Sequence, residues 1–229
     1  MCGRVRLVTD FTEIKIRLRF DDAAAAPNLW PSWNIPPTRD VLVARSVGGV
    51  RRGSRMRWGL IPSWSKDGRT GSTFNARADG VAEKPTFRGA WRAGRRCLII
   101  ADGFYEWRES DRQAYAVGMA DGGLMVMAGL WENWVSPAGE KIDSTTMITT
   151  EANAEMAKFH HRMPVILTED QWPAWLGEVA ATEDGVRALM APSASALIKA
   201  WQVGPAVGNV RNDGPELVLP VAQELPRLV

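Results

Sequence analysis

The feature that most constrains the fold is a series of short apolar or alternating runs between residues 41 and 150. Runs of four to eight such residues, separated by turn signals such as Asp121-Gly-Gly123, are typical of β-strands. We expect the two runs on either side of that turn to pair as a hairpin. The chain is therefore predicted to form a mostly antiparallel β-sheet or barrel. The runs are Val41–Arg45, Met56–Leu60, Cys97–Ala101, Phe104–Trp107, Tyr115–Met119, Leu124–Trp131 and Thr145–Thr150.

Short helical patterns lie before and after these runs. Capping residues precede three of them, Thr9 or Asp10 for the first and Thr168 and Thr182 for the last two. Strands with a few short inserted helices predict an α+β fold. The chain contains no repeat, heptad or linker, so we expect one domain over residues 1–229. The helical patterns are Asp10–Arg19, Ala152–Phe159, Glu169–Leu176 and Glu183–Met190, and a Pro- and Trp-rich irregular loop is predicted at Asn28–Thr38.

Composition excludes several classes of protein. The chain has 229 residues, of which 45% are hydrophobic and 24% charged, with only 2 Cys. Disordered chains contain fewer apolar residues, and disulfide-stapled small domains contain more cysteines. No stretch approaches the roughly 20 apolar residues that cross a bilayer. The amino-terminal residues include no apolar signal region, so we expect a cytoplasmic protein that does not contact membranes.

The small net charge of +2 conceals an asymmetry along the chain. Residues 1–112 carry 21 Lys and Arg against 12 Asp and Glu, whereas residues 113–229 carry 7 against 14. The basic half contains 18 Arg, whose guanidinium binds phosphate oxygens in pairs and stacks on bases. One interpretation is a face that binds a polyanion. The other, about equally favoured by charge alone, is surface arginines paired with acids from the other half.

Cys2 is notable for its position directly after the initiator methionine. Removal of Met1 leaves an α-amine with a pKa of about 7.7–8.0 beside a thiol with a pKa of about 8.5. Such an aminothiol condenses with an aldehyde to an imine, and the thiol then closes a thiazolidine ring. The same terminus is also suited to amide hydrolysis, and a cysteine without chemical function is an equally good interpretation of this residue alone.

The two histidines, His160 and His161, are adjacent. Because adjacent side chains diverge, we expect one to face a pocket and the other solvent. No cysteine or carboxylate lies at a spacing that makes them a metal site, so no metal or other cofactor is expected. Any imidazole that transfers protons must be one of these two, although a single histidine near a helix end is more often structural.

Three further side chains are candidates for a site. Glu106 follows the most apolar run and lies between Tyr105 and Trp107, so burial is expected to raise its pKa into the range of a general acid–base, unless an arginine pairs with it. Asn75 is suited to orienting a neighbouring group. Trp64, beside Pro and Gly residues in the segment 58–64, is suited to stacking on unpaired bases.

In combination these segments closely resemble the SOS response-associated peptidase (SRAP) family. The similarity extends from residue 2 to about residue 217, and the motifs occur in one order along the chain. They are Met1-Cys-Gly-Arg4, Trp58-Gly-Leu-Ile-Pro-Ser-Trp64, Phe74-Asn-Ala-Arg77, Cys97-Leu-Ile-Ile-Ala-Asp-Gly-Phe-Tyr-Glu-Trp107, Thr149-Thr-Glu-Ala-Asn153, His160-His-Arg-Met-Pro-Val165 and Ala206-Val-Gly-Asn-Val210.

The resemblance implies a function in the DNA-damage response. Family members bind single-stranded DNA and crosslink covalently to abasic sites, so Cys2 would form a thiazolidine with the aldehyde of the opened deoxyribose. It also implies a SRAP fold, catalytic roles for Cys2, Asn75, Glu106 and His160, and His161 as a variable position. On this basis Glu106 and His160 would transfer protons and Asn75 would hold the terminus or the sugar. Residues expected to contact DNA are Arg4, Trp64, Arg77 and Arg162.

Two other functions remain open at this point. One is a thiol peptidase that acts on its own amino terminus, or on other chains, through Cys2, Glu106 and His160. The other is a non-covalent binder of single strands or modified bases, in which Cys2 has no chemical role. Lyase activity through the imine is compatible with the leading function. A monomer is expected, since the protein must occupy one lesion, and DNA binding would place it at the nucleoid.

Overall fold

The computed structural model describes residues 2–21, 31–69 and 71–221. Within these ranges the chain forms two sheets and a few short helices, which confirms the predicted α+β class with mostly antiparallel strands. The strands are β1 (Val5–Leu7), β2 (Ser32–Ile35), β3 (Asp40–Val47), β4 (Val50–Trp58), β5 (Asn75–Arg77), β6 (Arg96–Ala101), β7 (Gly103–Trp107), β8 (Ala114–Met119), β9 (Met125–Val135), β10 (Lys141–Glu151), β11 (Arg162–Pro164) and β12 (Ile198–Gln202).

Five strands form a closed barrel in the order β10-β4-β3-β6-β9, because β9 pairs back onto β10. All neighbours are antiparallel except β4 and β10, which run parallel. The β3–β4 hairpin turns through Gly48 and Gly49. Both glycines have positive φ, because a two-residue turn that matches the twist of the sheet requires it. Strands β5 and β11 extend the barrel wall by pairing with the far end of β10.

The second sheet is antiparallel throughout, in the order β12-β8-β7-β1-β2. Its central members β1 and β7 carry the amino-terminal segment and the predicted Glu106 segment, respectively. A cluster of buried side chains includes residues from both sheets, such as Val5, Phe104 and Leu42. The two sheets therefore share apolar packing, while the single-domain assignment over 1–229 stays a prediction.

The described helices are α1 (Phe11–Leu18), α2 (Pro85–Arg92), α3 (Trp172–Leu176) and α4 (Glu183–Ala188). Helices α1, α3 and α4 begin at or within one turn of a predicted cap, whereas α2 was not predicted and its N-cap residue, Lys84, makes no capping side-chain hydrogen bond. Asp10 caps α1, Thr182 caps α4, and Thr168 forms a capping box with Gln171 ahead of α3. The pattern at 152–159 forms only the 3-10 turn Met156–Lys158. No helix in the described ranges is long and apolar enough to span a membrane.

Two expectations about local structure are wrong. The runs around Asp121 do not form a hairpin, because β8 pairs with β7 and β12 whereas β9 pairs with β6 and β10 in the barrel. The turn between them thus connects the two sheets. The loop predicted at Asn28–Thr38 contains strand β2, which pairs with β1, although its residues 28–30 lie outside the described ranges.

Gly103 allows β7 to lie close to its neighbours, and Gly103→Ala is expected to destabilise the fold by about 2–4 kcal/mol. The backbone there has φ +153, and an added Cβ would overlap the Val117 carbonyl oxygen and lie 2.6 Å from the Arg6 guanidinium. Chemical denaturation measures the change. Gly122→Ala is the control, since Gly122 also has positive φ but has no atom within 4 Å of the added Cβ. Equal losses in both variants would contradict the role of close packing.

Candidate active site

Cys2 precedes β1, which begins at Val5, and the pairing of β1 with β7 brings this part of the chain beside β7. The Tyr105 N–H donates a hydrogen bond of 2.9 Å to the Arg4 carbonyl, which continues the β1–β7 ladder towards the terminus. The Cys2 side chain is 2% exposed, and its thiol lies 4.0 Å from the Arg4 carbonyl oxygen. Cys2 is therefore packed against the sheet although it lies outside the strands.

The environment of Cys2 keeps its thiol protonated. Burial raises the pKa of the Cys2 thiol well above its ordinary value, and the negative charge of Glu106 raises that pKa further. A neutral buried thiol is a weak nucleophile and a poor target for oxidation. Activation of this thiol consequently requires a positive charge or a proton acceptor close to it.

Glu106 is a buried carboxylate on β7. It is 3% exposed, and its Oε1 accepts a hydrogen bond of 3.2 Å from the Trp107 N–H. Burial is the largest cause of a raised pKa for Glu106, which the charge of Glu109 raises further. The expectation of a buried carboxyl with a raised pKa is confirmed. A raised pKa brings a carboxyl closer to the range in which it can both accept and release a proton during a reaction.

Asn75 joins the barrel to the amino terminus. Its Nδ2 donates a hydrogen bond of 2.7 Å to the Cys2 carbonyl oxygen. The preceding residue, Phe74, is held by the buried Trp58. The indole N–H of Trp58 donates a hydrogen bond of 2.9 Å to the Phe74 carbonyl, and the two rings pack edge to face. The structure thus brings Cys2, which precedes β1, close to Asn75 on β5 and Glu106 on β7.

His160 follows the 3-10 turn Met156–Lys158, and its side-chain contacts among the described residues are with Glu109, His161 and Arg162 rather than with Cys2, Asn75 or Glu106. As expected, one histidine is buried and the other exposed, with His160 9% and His161 64% accessible at the side chain. The expectation that the two rings diverge is wrong, because they stack with centroids 4.3 Å apart. Both rings lie against one carboxylate oxygen of Glu109, at 3.2 Å from His160 Nε2 and 3.2 Å from His161 Nδ1.

Glu109, His160 and His161 place three possible metal-ligating atoms within 4.8 Å of one another. The hydrogen bonds of His160 oppose such a site. Its Nδ1 accepts a hydrogen bond of 2.9 Å from the Arg162 N–H, so the proton of the neutral ring resides on Nε2. A protonated Nε2 cannot bind a metal ion. These side chains favour a hydrogen-bonded cluster, and the absence of a metal cofactor stays a prediction.

The three candidate arginines differ in their exposure and in how many contacts they make within the protein. Arg77 is exposed on β5. Arg4 is half-buried and donates to the Asn34 side chain and the Val207 carbonyl, both at 2.8 Å. Arg162 is 6% exposed, donates to the Thr149 carbonyl and lies 3.7 Å from Asp79. A role in DNA contact is therefore best supported for Arg77, whereas the contacts of Arg162 favour a structural role.

Trp64 is 66% exposed, as a stacking residue requires, and its indole N–H donates a hydrogen bond of 3.4 Å to the Pro85 carbonyl. Four arginines of the basic half fit the alternative interpretation of the charge asymmetry, since they pair with acids of the second half of the chain. These pairs are Arg19–Glu169, Arg45–Asp143, Arg51–Glu178 and Arg95–Glu132. The polyanion-binding interpretation is thus restricted to a smaller set of arginines.

Sequence reasoning missed two residues that support the site. Asp102 accepts hydrogen bonds from the Val8 N–H (2.6 Å), the Thr9 N–H (3.1 Å) and the Thr9 hydroxyl (2.6 Å), which anchors the carboxy-terminal end of β1, the end farther from Cys2. A charged residue inside the apolar segment 97–107 could have indicated that Asp102 has a structural role. Glu109 gave no signal, because its proximity to the histidines arises only from tertiary contacts.

The family model for SOS response associated peptidase (SRAP) matches residues 1–210. The chain belongs to the SRAP family. Among curated relatives, the SRAP chain is 36% identical over 222 residues to the abasic site processing protein YoqW of Bacillus subtilis, a match that covers 95% of this chain and 99% of YoqW. It is 32% identical over 200 residues to the abasic site processing protein HMCES of Gallus gallus, covering 76% of this chain and 59% of HMCES.

Solved structures show the same SRAP architecture. A protein from Bacteroides thetaiotaomicron aligns with a TM-score of 0.81 at 22% identity, covering 96% of this chain and 100% of that one. A protein from Bordetella bronchiseptica aligns with a TM-score of 0.77 at 27% identity, covering 89% and 100%. The two-sheet fold is therefore shared with crystal structures, and the family resemblance in the sequence is confirmed.

Proposed function

We propose that this SRAP protein acts in the DNA-damage response by recognising abasic sites in single-stranded DNA and bonding to them covalently through Cys2. Relatives that align over nearly the whole chain are named abasic site processing proteins. The observation that carries the proposal is the position of Cys2, held by Asn75 at its carbonyl and lying in the field of Glu106. An aminothiol beside a buried carboxyl is suited to condensation with an aldehyde.

The reaction begins once Met1 has been removed. The Cys2 α-amine adds to the aldehyde carbon of the opened deoxyribose, and the resulting carbinolamine loses water to form an imine. The Cys2 sulfur then bonds to the imine carbon, and the thiol proton is transferred to the nitrogen, which completes a five-membered thiazolidine. One water leaves in total. Ring closure is intramolecular, which favours it over hydrolysis of the imine.

Glu106 is placed to move the protons in this sequence. Its raised pKa allows it to protonate the hydroxyl that leaves as water and afterwards to receive the proton of the thiol. The thiol stays neutral until the imine forms, since burial raises its pKa. The positive charge of a protonated imine then lowers the pKa of the thiol beside it, so that the sulfur becomes nucleophilic only at the correct step.

The DNA strand would follow the exposed groups near this site. We assign a phosphate contact to Arg77 and a stacking contact to Trp64, with Arg4 and Arg162 supporting the backbone near the lesion. Arg4 and Arg162 would have to exchange some present contacts for phosphate. A monomer is sufficient for one lesion, and binding to genomic DNA would place the protein in the cytoplasm at the nucleoid.

Denaturing electrophoresis with intact mass measurement tests this function. Incubation with a single-stranded oligonucleotide containing one abasic site is expected to give an adduct that survives heat and detergent. Its mass should equal that of the chain without Met1 plus the oligonucleotide, less one water. The same oligonucleotide without the lesion is the control and should give no adduct. Equal and fully salt-reversible binding of both strands would instead identify a non-covalent binder.

Peptidase activity on the chain's own amino terminus is a second candidate. It is favoured by the placement of a carboxyl of raised pKa against Cys2, whose amide bond to Met1 would be the substrate. The two activities are compatible, since removal of Met1 by the peptidase would expose the α-amine that crosslinking needs. Lyase activity is also compatible, because an imine at the sugar permits elimination of the 3′ phosphate.

A further inference from the structure

The exposed Trp64 lies at the centre of a short turn. Its ring is 66% exposed, and its indole N–H donates a hydrogen bond of 3.4 Å to the Pro85 carbonyl at the start of α2. The Ser65 N–H donates a hydrogen bond of 2.9 Å to the Pro62 carbonyl, which closes a β-turn with Ser63 and Trp64 at its two central positions. The direction of so exposed a ring depends on how this backbone turn is held.

Trp134, on β9, holds the carboxy-terminal end of that turn. Trp134 is 5% exposed, and its indole N–H donates a hydrogen bond of 2.7 Å to the carbonyl of Ser65, the residue after Trp64. The same ring fits against Gly68, where an added Cβ would lie 2.9 Å from it. Gly68 has φ +68, a backbone conformation that glycine adopts without strain. One buried side chain thus contacts the loop at two points close to Trp64.

The amino-terminal end of the turn is anchored to the same part of the barrel. The Ile61 N–H donates a hydrogen bond of 2.8 Å to the Ser144 hydroxyl on β10, and that hydroxyl donates at 3.4 Å to the Glu132 carbonyl on β9. Both Ile61 and Ser144 are buried, and β9 and β10 pair side by side in the barrel wall. The turn is therefore fixed at both ends to one pair of strands, with Trp64 between the two anchors.

We propose that Trp134 is a positioning residue that holds the turn of Trp64 so that the exposed indole is ready to stack on an unpaired base. This inference rests on the proposed function. A ring that is already held in place loses little conformational freedom when a base stacks on it, so more of the stacking free energy appears as affinity. Without the anchor the turn adopts other orientations, and the apparent affinity falls with the fraction of molecules whose ring is in place.

Trp134→Phe tests this arrangement, because phenylalanine keeps a ring beside Gly68 but cannot donate to the Ser65 carbonyl. Its dissociation constant for an intact single strand, measured by fluorescence anisotropy, should rise about three- to tenfold, the usual effect of losing one hydrogen bond. Its single-turnover rate of adduct formation at a saturating concentration of abasic strand should stay within twofold of the parent. A variant that only unfolds more easily would lose adduct amplitude and keep its affinity.

Trp175→Phe is the matched control. Trp175 is likewise buried, on α3, and its indole N–H donates a hydrogen bond of 2.9 Å to the Cys97 carbonyl. The same substitution therefore removes the same kind of hydrogen bond in another part of the fold. Thermal unfolding measures the loss of stability in both variants, and the affinity of Trp175→Phe for the strand should equal that of the parent. Equal weakening of DNA binding by both substitutions would overturn the inference.

The second comparison removes the stacking ring itself. Trp64→Ala should raise the dissociation constant about tenfold, as loss of a ring beneath one base does. With Trp64 absent, Trp134→Phe should change that constant by less than twofold, because it acts through this ring. Independent losses in the double variant, or parent-like affinity of either single variant, would overturn the inference. Absence of any adduct with the parent protein would refute the proposed function, while the affinities for the intact strand would still decide the role of Trp134.

Discussion

Cys2→Ala, prepared without Met1, is expected to form no heat-stable adduct with abasic single-stranded DNA. The variant retains an α-amine, so an imine with the aldehyde still forms, but without sulfur the thiazolidine ring cannot close. The imine hydrolyses on heating and is lost from a denaturing gel. Borohydride reduction before denaturation should recover an adduct from the same variant, which shows that binding and the first chemical step survive.

Cys97→Ala is the matched control for this experiment. Cys97 is also fully buried, on β6 in the barrel wall, where burial raises the pKa of its thiol to about 12 and the sulfur lies 3.3 Å from the Thr145 hydroxyl. It has no neighbouring α-amine. This variant should form the heat-stable adduct in full yield. A full yield from Cys2→Ala would remove Cys2 from the mechanism and leave the thiazolidine without support.

Glu106→Gln, prepared without Met1 so that the α-amine is free, should slow adduct formation by about 10²–10⁴-fold, the usual contribution of a positioned acid–base group. Glutamine preserves the shape of the side chain and its contact with the Trp107 N–H but cannot exchange protons near neutral pH. Single-turnover rates, followed by quenching and denaturing electrophoresis, measure the loss. A rate within twofold of the parent would show that solvent or another group transfers the protons.

The same substitution is expected to raise stability at neutral pH. Burial raises the folded-state pKa of Glu106, so between its ordinary value of 4.5 and that raised pKa the folded chain binds more protons than the unfolded chain. Stability therefore falls as pH rises through this interval, and the loss is fully present above it. Glutamine removes this cost, and each kcal/mol gained corresponds to about 2–4 °C in Tm. Thermal unfolding at several pH values measures it.

Glu132→Gln provides the contrast. Glu132 is also 3% exposed and accepts a hydrogen bond from the N–H of the next residue, at 3.1 Å, but it pairs with Arg95. Its replacement should lower stability, since it leaves an arginine without its partner, and should leave adduct formation unchanged. If both glutamine variants lost stability equally, the buried charge of Glu106 would not be costly in the folded protein.

Intact mass of Glu106→Gln also tests self-processing. In a host that trims ordinary Met-Cys termini, retention of Met1 in this variant alone would show that the protein removes its own methionine. Loss of Met1 from both parent and variant would assign that step to an aminopeptidase. Either result leaves the crosslinking chemistry intact, because both routes expose the same amine.

Much of the local structure follows from short-range rules. The capping residues Asp10, Thr168 and Thr182 begin helices or turns where predicted, because a side-chain oxygen that satisfies a free N–H acts within three residues. Strand β6 was recognisable from its continuous apolar run, which is buried on both faces. Burial of Glu106 was predictable from its position between two aromatic residues in such a strand. Each of these features depends on neighbours in the sequence.

Pairing between distant segments could not be predicted in the same way. The strands on either side of Asp121 belong to different sheets, although their separation suits a hairpin. The partner of each strand is chosen by the apolar surface that it covers in the packed core, and local turn propensity is too weak to override that choice. The same packing decides which arginines pair with acids of the second half of the chain, such as Arg45 with Asp143 and Arg51 with Glu178.

The sequence by itself determined the strand-rich class, three of the helix caps and, through its ordered motifs, the family, and it predicted Cys2, Asn75, Glu106 and His160 as site residues. Only the tertiary structure decided how these groups act on one another. It closed the barrel, buried Arg162, stacked the two histidines and brought Glu109 to His160. The physical reason is range: hydrogen bonds and charges between residues far apart in the chain exist only after apolar packing has brought their strands together.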